Sequence, residues 1–487
     1  MAPGHLLFSL HIPTITILLL LSTSANCCFT HIFCFGDSIS DTGNYLKSIG
    51  DGYDPIRNLP YGETYFGRPT GRFCDGRIIL DFIAEAYGLP FILPYLPGES
   101  TKVNFLHGVN FAVGGATALN NSFFESMGIE VLWTDYSLST QLQWFKKLLP
   151  SILEEPGYGR SIMSSALFVV GEIGGNDYNY PLLFQRRTLD EVRTFVPDVI
   201  RTISLTIHEL ISRGAKTLLV PNNFPIGCVP VYLTLFQSQK KEDYDPETGC
   251  IKRLNEFAKY HNAMLLKELE MLRLLYTDVT IIYADYYEAS MNIFRNPKKL
   301  GFSYPLMACC GAEGPYNYSS FSSCGNQGST VCSDPSKYAS WDGLHLTEAA
   351  YKAIAHGVLR GSYSYPPISN TCYDIMHDSG NLLLIPSNAM LAAAQEKLIS
   401  ETEEKFAEQG GEVGVSGVWR FFGFGFNLRG FGSRVLGFGL GFVVAGGIKG
   451  KGIGGFGYGG SGGQGEKGGG KEVVGLGLWP AAAKERG

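Results

Sequence analysis

A chain of 487 residues, 45% apolar and 13% aromatic, can bury two or three average cores or one large α/β core. Its formal charge of −6 and isoelectric point near 5.9 exclude a protein that tracks nucleic-acid phosphates, since there is no basic excess and no Lys/Arg run.

Residues 6–21 are mostly apolar, densest at Ile17–Leu21, and small residues Ser22–Ala25 follow. The stretch falls short of the ~20 residues a spanning helix needs. Residues 1–27 are therefore expected to be a cleaved export signal rather than a membrane anchor or a buried strand, although the charge ahead of it is only the terminal amine and His5. No stable membrane insertion is expected, and the location that follows is secreted, extracellular or cell wall.

A first strand reads Ile32 to Phe35 and ends in Gly36-Asp37-Ser38, then a polar turn through Asn44. A buried strand that stops this way delivers a hydroxyl to a sheet edge, next to backbone N–H groups left free by the turn. The segment Tyr45–Asp75 is rich in Gly, Pro and aromatics and too long for an ordinary connection, so it is expected to cover a site. Helical spacing follows over Ile78–Tyr87. A second strand, Val109–Ala112, closes in Gly114-Gly115-Ala116, and a helix is expected over Ser139–Leu149. The third strand, Ala166–Val170, runs into Gly174-Gly175-Asn176-Asp177. One long helix is expected over Asp190–Ser212, a fourth strand at Thr217–Val220, a helix over Cys250–Leu275 and a fifth strand at Val279–Tyr283. Helices over Tyr286–Asn296 and Thr347–Leu359 flank a cysteine-rich loop that ends in Trp341-Asp342-Gly343-Leu344-His345. Short apolar strands alternating with helices imply an α/β domain with a parallel sheet covered on both faces, and its polar clusters follow strand carboxyl ends.

An exported chain places its 11 cysteines in an oxidising compartment. Cys309, Cys310, Cys324 and Cys332 cluster in one loop, and Cys228 and Cys250 flank another. They read as staples rather than metal ligands, because paired C-x-x-C spacing is missing, and their connectivity stays open. Asn120 and Asn317 begin glycosylation sequons. Residues 369–409 read as a charged linker or helix. In 410–487 the chain is low complexity, with 29 of the 61 glycines in 78 residues, which cannot build a conventional core. It is either a cell-wall-type tail or a fused or mispredicted end that contributes no activity.

Ser38 alone is a turn residue or a candidate nucleophile that needs a base and oxyanion donors. Asp342 lies three residues before His345, and in a turn such a carboxylate can reach Nδ1 and leave Nε2 free to take a proton from Ser38. Gly115 could offer a backbone N–H, Asn176 a side-chain amide, and Ser38 its own N–H. Asp342 could instead cap the helix at Thr347, and His261 reads as part of a helix face.

Ile32–Asn44, Asn110–Ala116, Gly174–Asp177 and Trp341–His345 resemble, in order, the sequence blocks of the GDSL-type (SGNH) esterases and lipases, in particular their secreted plant branch. Ile39 stands where the family name has Leu. The resemblance implies a flavodoxin-like three-layer α/β/α sandwich with a five-stranded parallel sheet, spanning residues 28–368. It implies Ser38 as nucleophile, Asp342 and His345 as the rest of a triad, and Gly115 and Asn176 as oxyanion donors, with Gly114 competing for the glycine position. No cofactor and no metal are implied. The expected substrates are small-molecule or lipid esters. Acyl or phenolic esters of plant metabolites come first, such as choline esters of phenolic acids or acetylated alkaloids, ahead of long-chain lipids and acetylated polysaccharides. Substrate choice is expected to lie in Tyr45–Asp75, Leu119–Thr134, Phe224–Cys250 and Gly301–Cys332. The rival expectation is a non-catalytic extracellular binding or structural protein that uses the same fold.

Overall fold

Short, largely apolar runs that stop at glycine, proline or a polar turn form the central strands. In the computed structural model, which describes residues 29–96, 105–154 and 161–371, these are β1 (His31–Phe35), β3 (Ala166–Val170), β4 (Thr217–Pro221) and β5 (Thr280–Ala284), with a shorter β2 (Gly108–Asn110). The expected export signal, the Gly-rich tail and all but the first residues of the charged segment lie outside the described residues.

The five strands are parallel in the order β2-β1-β3-β4-β5. A two-residue strand, β6 (Ser364–Tyr365), adds an antiparallel edge beside β5 that the sequence pattern did not suggest. Side chains alternate across the sheet, as the period of two requires. Phe33, Phe35, Phe168, Leu218, Val220 and Ile281 face one core; Ile32, Cys34, Leu167, Val169, Leu219 and Ile282 face the other. Helices α1 (Ile79–Ala86), α2 (Leu138–Glu154), α3 (Val196–Ser212), α4 (Lys252–Leu275), α5 (Tyr286–Arg295) and α6 (Glu348–Leu359) cover it. Those named α2, α3 and α4 pack on the first face, and α1, α5 and α6 on the second. This is the expected three-layer α/β/α sandwich.

Two helices differ from the expected spans. The predicted helix from Asp190 is interrupted: a short helix, Leu189–Arg193, ends and α3 begins at Val196. Pro197, at the second position of α3, has no N–H to give to Arg193, so one continuous ladder is impossible there. Conversely, α2 runs through Pro150 to Glu154, because Leu149 and Ile152 are buried against the core on either side of the exposed proline.

The chain reaches β2 on one side of β1 and then crosses to β3 on the other. Between them lies the switch point where a doubly wound sheet opens a crevice. Gly108 permits the β1–β2 approach: its φ is +105°, and a Cβ there would lie 1.9 Å from the Ile32 carbonyl oxygen. Phe145 of α2 stacks edge-on against Phe33, Phe35, Phe111 and Phe168, which joins the helix to three consecutive strand segments. Replacing Phe145 with Ala is expected to cost about 3–5 kcal/mol, through lost burial and a cavity that four rings cannot collapse into. Denaturant unfolding measures it, and a loss below about 1 kcal/mol would show that the rings repack.

Candidate active site

The β1 strand ends at Phe35, and the turn after it is held from three directions. Gln141 of α2 accepts from the Gly36 N–H at 2.9 Å and donates to the Gly36 carbonyl at 2.8 Å. Asp37 Oδ1 accepts from the Ile39 N–H. The buried Asp41 carboxylate accepts from the N–H groups of Gly43, Asn44 and Tyr45 in its own turn, and from Gly114 in the loop after β2 at 2.8 Å. This last bond separates the two adjacent glycines. The Gly114 N–H is occupied by Asp41, whereas the Gly115 N–H donates to no group among the described residues, and neither does that of Ser38. Gly115 has φ +80°, and a Cβ on it would come within 2.7 Å of Trp133 Cβ, so the position accepts only glycine without displacement.

Asn176 lies in a short helix, Gly175–Asn179, directly after β3. Its amide nitrogen donates to the Ala116 carbonyl at 3.1 Å and more weakly to Asp37 Oδ2 at 3.3 Å, while its oxygen accepts from Asn179. The longer bond is the one that a new anion near Ser38 could replace. Asp177 braces the same pair of loops by accepting from the Ala118 and Leu119 N–H groups at 2.8 and 2.9 Å.

His345 arrives from the loop before α6. Asp342 Oδ1 accepts from the N–H groups of Leu344 and His345, which curls the chain so that Oδ2 meets His345 Nδ1 at 2.7 Å. His345 Nε2 then lies 2.9 Å from Ser38 Oγ. Thr347, not Asp342, caps α6, through the Ala350 N–H. Burial alone would raise the Asp342 carboxyl; the facing His345 and the hydrogen bonds it receives overcome this and hold it below the usual carboxylate range.

The structure therefore brings Ser38, Gly115, Asn176, Asp342 and His345 to one crevice. His261 is elsewhere: it meets the Tyr178 hydroxyl at 2.8 Å in the core, and burial drives its pKa down to about 3. Of the sequons, Asn120 is exposed, whereas the Asn317 amide donates to the Ala308 carbonyl at 2.8 Å. Among the described residues, no group of three His, Cys, Asp or Glu side chains is disposed to hold a metal ion, and no helix is long and apolar enough to cross a membrane.

Some site residues escaped the sequence reading. Tyr61 donates its hydroxyl to Asp342 Oδ2 at 3.0 Å, and the Phe73 ring packs over His345 with centroids 4.8 Å apart. Both belong to the long loop expected to cover a site, but nothing in their spacing singles them out. All four expected loops line the cleft, and Leu183 and Phe184 add to its wall without a sequence signal. Disulfides Cys309–Cys332 and Cys310–Cys324 hold the Gly301–Cys332 loop, and Cys228–Cys250 closes the one before α4.

Near Ser38 lies a set of buried acids. Burial raises Asp41 to about 6 despite four N–H donors, and Asp177 to about 7. Burial likewise raises Asp37 and Glu172, which hydrogen bond to each other; the charge of Asp37 lifts Glu172 further, so Glu172 is the member that holds the shared proton. A carboxyl whose folded pKa is raised binds a proton in the native state at a pH where the unfolded chain has released it. Stability from these groups grows as pH falls from about 7 toward about 4 and is lost as pH climbs back. His261, His31 and His356 oppose this below the ordinary histidine value near 6.5, since burial lowers all three, but the raised carboxyls outnumber them. Thermal unfolding is thus expected at a higher temperature at pH ~5.5 than at pH ~8. Scanning calorimetry reads it, and a flat or reversed profile would show that these acids are ionised in the native state.

A family profile described as GDSL-like lipase/acylhydrolase matches residues 32–358. A GDSL esterase/lipase of Arabidopsis thaliana is 52% identical over 346 residues, covering 71% of this chain and 87% of its own. A second from the same plant is 50% identical over 370 residues, 76% of this chain and 93% of its own. A protein of Brassica napus named sinapine esterase is 48% identical over 349 residues, 71% of this chain and 89% of its own.

Proposed function

Because the chain belongs to the GDSL-like lipase/acylhydrolase family and is a carboxylic ester hydrolase, we propose that it works through a Ser38–His345–Asp342 triad and an acyl-enzyme. The observation that carries this is the hydrogen-bonded relay, 2.9 Å from Ser38 Oγ to His345 and 2.7 Å from His345 to Asp342, beside two unused backbone N–H groups.

In the first step His345 Nε2 takes the Ser38 proton as Oγ attacks the ester carbonyl. The imidazolium that forms faces an ionised Asp342, whose two backbone N–H bonds and Tyr61 hydroxyl keep it charged and aimed at Nδ1. The carbonyl oxygen becomes an oxyanion and accepts from the Ser38 and Gly115 N–H groups and from the Asn176 amide, which exchanges its long bond to Asp37 for it. His345 Nε2 next protonates the leaving alkoxide, and the alcohol departs. Water, deprotonated by the same nitrogen, releases the acid and restores Ser38.

The substrate class we propose is acyl or phenolic esters of small plant metabolites. Phe73, Trp133, Phe184 and Tyr318 in the cleft wall support an aromatic or apolar acid portion. We further propose that residues 28–368 form the catalytic domain, that 1–27 direct export, and that glycan addition falls on Asn120, whose side chain is accessible. The three disulfides support an oxidising, extracellular setting.

A fluorophosphonate probe tests the nucleophile. The wild-type chain is expected to label and Ser38→Ala not to; equal labelling of both would move the nucleophile elsewhere. Two further substitutions separate the roles by steady-state kinetics on an activated ester. Asp342→Asn, which presents the wrong tautomer to His345, is expected to lower kcat by about 10⁴-fold. Asn176→Ala is expected to lower it by about 10²–10³-fold with KM little changed, since its bond forms with the developing charge. A rise in KM alone for Asn176→Ala would make it a substrate contact.

A further inference from the structure

Two depressions meet at Ser38, Asn176 and His345. An ester has two sides to its carbonyl, and each depression borders the Ser38 hydroxyl from a different side. The first is the aromatic cleft described above. The second lies beneath the loop after β4, against α5, and is bordered by Glu172, Asn223 and Ser290 together with Phe224, Tyr232 and Phe294.

Its polar groups are incompletely used. The backbone N–H and carbonyl of Asn223 are both taken by the Asn262 side chain, at 2.9 and 3.0 Å, which pins the residue. Its own side-chain amide, on a residue only 4% exposed, has no hydrogen-bond partner among the described residues. The Ser290 hydroxyl, 2% exposed, is also without a partner. Glu172 hydrogen bonds to the neighbouring Asp37. Buried polar groups are ordinarily paired, so the unpaired Ser290 hydroxyl, on the same depression as the unbonded Asn223 amide, points to a group that pairs with them there.

Resting on the serine-esterase reading, we infer that this second depression receives a hydroxylated alcohol portion of the ester, a glycosyl or polyol group. An amide and a hydroxyl each donate and accept, as sugar hydroxyls do. Phe224 and Phe294 offer apolar surface for the C–H face of a sugar ring. A simple alkyl group would leave Asn223 and Ser290 unpaired. A quaternary ammonium group can neither donate to nor accept from them. An anion would meet Asp37 and Glu172 with no Lys or Arg on the wall. The acid portion then occupies the aromatic cleft, and His345, which borders both depressions, is placed to protonate the departing alcohol.

The test compares three esters of one aromatic acid, with methanol, glucose and choline as alcohols. The wild-type full chain is expected to show kcat/KM at least tenfold higher for the glucosyl than for the methyl ester, with the choline ester no better than methyl. In Asn223→Leu the glucosyl-to-methyl ratio is expected to fall at least tenfold. In Ser290→Ala, which removes a hydroxyl that makes no hydrogen bond among the described residues and so leaves the melting temperature unchanged, the ratio is expected to fall about three- to tenfold. No glucosyl preference, a preference for choline, or ratios unmoved in both variants would each overturn the assignment while methyl-ester hydrolysis keeps the enzyme reading intact. Failure to hydrolyse any of the three, with Ser38 unlabelled by fluorophosphonate, would overturn both.

Discussion

The Asp41 carboxylate is the constraint on which the rest of the crevice depends. Sunk behind the turn that carries Ser38, it gathers three N–H groups from that turn and one from the loop after β2. A carboxylate is the only side chain able to accept so many donors, and here it ties two strand ends together. Because it takes the Gly114 N–H, the Gly115 N–H is the one left without a partner among the described residues.

Around that anchor, each strand end contributes one part and is braced to a neighbour. Asp177 after β3 holds the Ala118–Leu119 backbone of the β2 loop. Asn110 at the end of β2 donates to the Ser40 carbonyl and to Thr42 in the β1 turn. The result is a site whose side chains are positioned by backbone hydrogen bonds between loops rather than by the loops' own stiffness. Such preorganisation costs buried charge: among the described residues, Asp37, Asp41, Glu172 and Asp177 form no salt bridge with Lys or Arg. Protonation relieves it, which is why their pKa values rise instead of being met by salt bridges.

Much of this was legible in the sequence because the signals were local. Strand runs such as Ala166–Val170 end where the structure ends them, since a short apolar run bounded by glycine has few alternatives. Asp342 and His345 could be paired on spacing alone, because a three-residue offset closes within one turn. The break before Val196 was also written locally, in Pro197, but the amphipathic pattern on both sides of it reads as one helix. Continuation of α2 through Pro150 was not local: the burial of Leu149 and Ile152 outweighs the lost hydrogen bond.

By itself, the sequence determined the layer architecture, the order of the strands' polar ends and that Ser38, Asn176, Asp342 and His345 lie at successive polar ends, since periodicity and motif order are properties of the chain. The tertiary structure alone distinguished the Gly114 N–H, bound by Asp41, from that of Gly115, and brought Tyr61 and Phe73 onto Asp342 and His345. Those outcomes depend on contacts between segments tens to hundreds of residues apart. The Tyr61–Asp342 bond spans 281 positions, and that of Ser38 to His345 spans 307. No local propensity encodes such a distance; it is set by which strand ends the parallel sheet places side by side.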